Sequence, residues 1–106
     1  VIPVVQAFKP DVIVAQLGID TYHSDPLTHL HITSQGYEKI VQHIIDFDVP
    51  LLALGGGGYD VLAVARCWSL AFSRMVGIDL PNNMLPTIIS VFFTMSDSNN
   101  YFDYMN

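Results

Sequence analysis

One cysteine among 106 residues, Cys67, excludes an internal disulfide and fits a reducing compartment. Basic residues are nearly as scarce. Four Lys and Arg stand against ten Asp and Glu, a net charge of −6, which argues against nucleic-acid binding because phosphate neutralisation needs clustered cations. No run approaches the roughly 20 apolar residues of a membrane-spanning helix, and Ile88 to Phe93 is far too short. The N-terminus has no basic segment ahead of an apolar stretch, so no signal peptide is expected and a cytoplasmic location is. Charged residues make up 13% of the chain, against about 25% in average soluble domains. Strands covered on both faces would explain this, and so would a surface that packs against chain lying elsewhere. The chain opens on Val1 rather than Met, which leads us to expect a processed or excised piece of something longer.

What is present is a strand-and-helix pattern repeated twice. The length suits one compact domain able to bury roughly 65% of its unfolded surface. Asp11 to Leu17 is a short, β-branched apolar run after Pro10 that stops at Gly18, as a buried strand does. A polar loop from Ile19 to Ile32 follows. Thr33 then stands as an N-cap, with Tyr37, Ile40, Val41, Ile44 and Ile45 at helical spacing on one face. Pro50 to Leu54 forms a second strand, and Asp60 opens a second helix that runs to about Val76, with Gly77 as its stop. This order predicts a right-handed βαβ crossover and parallel strands. Functional groups in such sheets gather at the carboxyl ends of the strands, which here carry Gly18-Ile19-Asp20 and Gly55 to Tyr59.

Four consecutive glycines, Gly55 to Gly58, are the most informative stretch. Each weakens a regular element by roughly 0.5–1 kcal/mol relative to alanine, so the loop requires a sharp turn or a close approach. Tyr59 at its end sits on a strand-to-helix edge. A phosphate cradle is a second use of successive backbone N–H groups, but the Lys-Ser/Thr of a P-loop and the G-x-G-x-x-G spacing are both missing. Asp20 lies where a carboxylate can be aimed into a rim cavity, although a loop Asp commonly bonds local N–H groups. Asp25-Pro26 is ordinary turn chemistry. His23, His29 and His31 cluster in sequence with Asp20 and Asp25, but none has the i, i+4 spacing of a helical zinc site. On the second helix, Trp68 is expected in the core and Cys67 as a small buried hydrophobe, while Arg66 requires an acidic partner on a neighbouring element.

Together these segments resemble the zinc-dependent deacetylase family, which includes histone deacetylases and acetoin utilization (AcuC-like) proteins. The resemblance runs through Phe8 to Asp20, Ser24-Asp-Pro-Leu27, Leu30-His-Ile-Thr33 and Gly36-Tyr37, then Pro50 to Tyr59 and Val64-Ala-Arg-Cys-Trp68. It implies an α/β fold, a three-layer sandwich around a mostly parallel sheet of the arginase/deacetylase kind. Residues 1–86 would be a C-terminal part of that domain, with 87–106 an unassigned tail. It further implies that Asp20 is a carboxylate ligand of Zn2+ and Tyr59 the catalytic phenol that donates to the substrate carbonyl. Leu27 would line an acyl-lysine tunnel, and the backbone at Gly57 would form part of its wall. Asp25 is then structural. The activity implied is metal-assisted hydrolysis of acetylated lysine, an acetylated polyamine or a small acetyl-amide.

The family's other two zinc ligands come from an Asp-x-His segment, and its histidine pair from a His-His motif. Neither occurs in this sequence, and a catalytic zinc needs three protein ligands. The remainder of the domain is therefore expected upstream, and this chain alone is expected to be inactive. A degenerate, non-catalytic binding or interaction module is the alternative, and a small nucleotide-binding α/β domain a more distant one.

Overall fold

A computed structural model describes residues 1–80. The apolar run from Ile88 to Phe93 and the expected tail from residue 87 lie outside the described residues. Five elements follow in order: α1 (Ile2–Phe8), β1 (Ile13–Gln16), α2 (Ser34–Ile45), β2 (Leu51–Leu54) and α3 (Val61–Met75). The strands pair in parallel, with Ile13 opposite Leu51 and Gln16 opposite Leu54, so the expected β-α-β connection is present. Both strands are shorter than the apolar runs that announced them. The segment not anticipated is α1, which has Pro3 in its first turn and Lys9 in the left-handed region as its C-cap, and which buries no residue.

The cap residues act as their chemistry requires. The Thr33 side chain accepts from the Gly36 amide at 3.1 Å, and Asp60 accepts from the Leu62 and Ala63 amides. Gly77 (φ 71°) turns the chain off the end of α3, and the Ile78 amide returns to the Ser73 carbonyl at 2.8 Å.

The core lies between the sheet and the two longer helices. Leu17, Ile19, Tyr22, Tyr37, Val41, Ala63, Cys67 and Ala71 form it, with Ala15 and Ala53 packed against it from the strands. Ala63, Cys67 and Ala71 recur every four residues along α3, a stripe of small side chains that lets it approach α2 closely. The expected apolar face of α2 is narrower than its pattern implied. Tyr37 and Val41 are buried, but Ile40 is exposed. Among the described residues helices cover one face of the sheet only. Val14, Leu52 and Leu54 point away from it and are about half exposed, so two layers of the expected sandwich are present.

Candidate active site

The pairing of β1 with β2 continues past the strand ends. The Leu17 amide donates to Leu54 at 2.8 Å and the Ile19 amide to Gly57 at 2.6 Å. The partner advances three residues while the donor advances two, so the β2 side carries one extra residue. The two backbones consequently nearly touch. A Cβ on Gly18 would lie 2.9 Å from the Gly57 nitrogen, and one on Gly56 would lie 2.9 Å from the Gly18 Cα. At Gly58, with φ 150°, a Cβ would meet Ile19 at 2.6 Å and Val64 at 2.7 Å. The glycine loop is thus glycine because of close approach.

That approach brings Asp20 to the loop. Its half-buried carboxylate lies directly against Gly57, where a Cβ would overlap it. Tyr59 follows two residues later with its side chain 55% exposed, and Leu27 is 65% exposed. All four predicted site residues therefore sit on the same rim, at the carboxyl ends of β1 and β2.

Hydrogen bonds tie the two loops together. Asp25, 7% exposed, accepts the Leu27 amide at 2.8 Å and the Thr28 amide at 3.3 Å on Oδ1. Its Oδ2 accepts the Tyr59 amide at 2.9 Å. The Thr28 hydroxyl donates to the Asp20 carbonyl, and the Ser24 hydroxyl donates to the Asp60 carboxylate. The Ser24 hydrogen bond chiefly holds the Asp60 carboxyl below its ordinary value of 3.8, with the Ala63 and Leu62 amides and His23 acting in the same sense against desolvation. Tyr22 and Ser34 hydroxyls meet at 3.0 Å beneath the loop.

One carbonyl anchors the helices to the strand that aims Asp20. Leu17 accepts from the Tyr37 hydroxyl and from the Trp68 indole N–H, each at 2.9 Å. Burial pushes the Tyr37 hydroxyl up to about 12 and the Cys67 thiol up to about 11, so both stay protonated at neutral pH. Cys67 is fully buried, as expected. Trp68 departs from the expectation of a core residue: its ring flanks Gly55 but remains 37% exposed. The acidic partner expected for Arg66 is not among the described residues. Its buried Nε finds no acceptor, while the neighbouring cation, Arg74, bonds Glu38 of α2 and Asp79.

His23, His29 and His31 form no metal-holding group with Asp20 and Asp25. Among the described residues no group of three His, Cys, Asp or Glu side chains is arranged to hold a metal ion. Asp20 alone does not fit a catalytic zinc. An apolar groove of about 710 Å³ also runs along α3, past Val64, Trp68 and Phe72 to Ile78 and Leu80, and neither Asp20 nor Tyr59 lines it.

The model of the histone deacetylase domain matches residues 1–75. The chain belongs to the histone deacetylase domain family. Relatives include probable histone deacetylase 1-A of Xenopus laevis, 38% identical over 76% of this chain and 17% of its own length. Histone deacetylase 8 of Xenopus tropicalis is 38% identical over 73% of this chain and 21% of its own. Histone deacetylase 1 of Homo sapiens is 36% identical over 76% and 17%. The chain thus spans about a fifth of the length of these relatives. Among solved structures, the HDA15 HD domain matches with a TM-score of 0.67 and 25% identity, over 84% of this chain and 26% of that one. Acetylpolyamine aminohydrolase from Burkholderia pseudomallei matches with a TM-score of 0.57 and 28% identity, over 67% and 22%. The α/β architecture is accordingly a fragment of the deacetylase fold.

Proposed function

We propose that this chain is the part of a deacetylase that supplies one wall of its active site, and that the protein containing it hydrolyses an acetyl-amide, whether acetylated lysine, an acetylated polyamine or a smaller amide. The observation that carries the proposal is the rim on which the Asp20 carboxylate lies against the glycine loop that ends at Tyr59, in a chain of this family.

In this proposal Tyr59 is catalytic. A tyrosine hydroxyl keeps its proton at neutral pH and can donate to the oxyanion that develops on the acetyl carbonyl. Leu27 offers apolar surface to the acyl-bearing chain, and Gly57 lets the loop backbone lie directly against the Asp20 carboxylate, which any side chain there would displace. Asp20 is one carboxylate ligand of the zinc expected for such an enzyme, whose remaining ligands lie outside the described residues. By itself this chain is expected to be inactive.

The test is hydrolysis of acetyl-lysine and acetylpolyamine substrates by the whole parent protein. Tyr59→Phe is expected to lower kcat by about a hundred- to a thousandfold, the usual effect of losing one oxyanion donor, and Asp20→Ala to abolish zinc retention and turnover. Tyr59→Phe at full activity would refute the assignment. Robust turnover by the 106-residue chain alone would refute its status as a partial site.

A further inference from the structure

We propose that Asp25 is a positioning residue: its buried carboxylate fixes the backbone of Tyr59 relative to the turn that bears Leu27. This rests on the reading of Tyr59 as the carbonyl-facing phenol. Among the described residues packing does not fix that residue, because the Tyr59 side chain is more exposed than buried. The preceding four glycines carry no side chains to orient it, although the Ile19 amide holds the Gly57 carbonyl two residues before it. Its position is set through its backbone, between the Gly57 carbonyl and the Asp60 cap, and the Tyr59 amide itself donates to Asp25 Oδ2 at 2.9 Å.

An ordinary turn-forming aspartate bonds the amides two or three residues ahead, as Oδ1 does here to Leu27 and Thr28. Turn chemistry does not account for the second oxygen, which reaches a residue 34 positions away. Among the described residues no Lys or Arg forms a salt bridge with Asp25, so backbone N–H groups are what compensate the burial of this carboxylate. Three donors converge on it, and a carboxylate is acceptor-only. Asparagine has nearly the same shape but would turn an NH2 toward one of those N–H groups. The turn continues the link, since the Thr28 hydroxyl donates to the Asp20 carbonyl. One rigid planar group thus relates the positions of Asp20, Leu27 and Tyr59.

The test is amide hydrogen exchange, resolved by NMR, on the full chain. In the unsubstituted protein the Tyr59 amide is expected to be protected. Asp25→Ala should speed exchange at Tyr59 and Leu27 together by about tenfold or more, the scale of a lost hydrogen bond to a charged group, with Val64 and Leu17 unchanged. Asp25→Asn, the gentler change, should release one of the two amides and spare the other. An unprotected Tyr59 amide in the unsubstituted protein would overturn the proposal, even if Asp25→Ala does not fold. So would a uniform acceleration at all amides, which marks a purely stabilising role. In the parent enzyme Asp25→Asn should lower kcat with KM nearly unchanged. Since amide exchange needs no turnover, a protein that hydrolyses no acetyl-amide would defeat the deacetylase reading while leaving the exchange result to stand.

Discussion

The Leu17 carbonyl receives both the Tyr37 hydroxyl and the Trp68 indole, and so one atom joins two helices to the strand end that aims Asp20. Removing one donor leaves the carbonyl bonded by the other, so Tyr37→Phe or Trp68→Phe should each cost about 1 kcal/mol in urea unfolding. Removing both leaves a buried acceptor unpaired, and the double variant should lose more than the sum by about 1 kcal/mol or more. Strict additivity in that cycle would show that the shared carbonyl is unimportant. The residue types at this point were legible, but not their partners: nothing in the local pattern of Tyr37 or Trp68 names a carbonyl 20 and 51 positions away. Asp25 and Arg66 teach the same lesson in opposite directions. One was expected only to make a turn and also grips the other loop; the other was expected to be paired, and among the described residues its Nε has no acceptor.

At the level of elements, the two long helices were the most legible parts because their start signals are local. Thr33 and Asp60 bond amides two or three residues ahead, a distance the sequence displays directly. Asp60→Ala should cost about 1 kcal/mol and fray the start of α3, measurable by chemical denaturation at pH 7. The sign of the pH effect follows from the depressed Asp60 carboxyl. Its contribution is present above the ordinary value of 3.8 and is lost as pH falls below that value through the folded-state one. Stability of Asp60→Asn should therefore vary less with pH over that acid window, and an unchanged profile would contradict a lowered Asp60 carboxyl in the folded state. The helix α1 was missed because it buries nothing, so it leaves no apolar periodicity to find.

For the molecule as a whole, the low charge content is now explained in part by one sheet face. Val14 (61%), Leu52 (54%) and Leu54 (46%) are exposed on it among the described residues, although parallel strands are ordinarily covered on both sides. In the isolated chain, Leu52→Thr with Val14→Thr should shift stability by no more than about 0.5 kcal/mol while reducing binding of a hydrophobic dye. A loss of several kcal/mol would mean that this face is already packed. The chain spans about a fifth of the length of its curated relatives.

By itself the sequence determined the class of fold, the β-α-β order, the helix caps and the family, because each depends on patterns spread over a few neighbouring residues or on a motif read in line. Only the tertiary structure decided that the extra residue after β2 presses Gly57 against Asp20, that Leu17 serves two helices, and that Asp25 reaches Tyr59. Those contacts join residues 20 to 51 positions apart, and hydrogen bonds at that separation follow from how the sheet registers its strands, which no local pattern encodes.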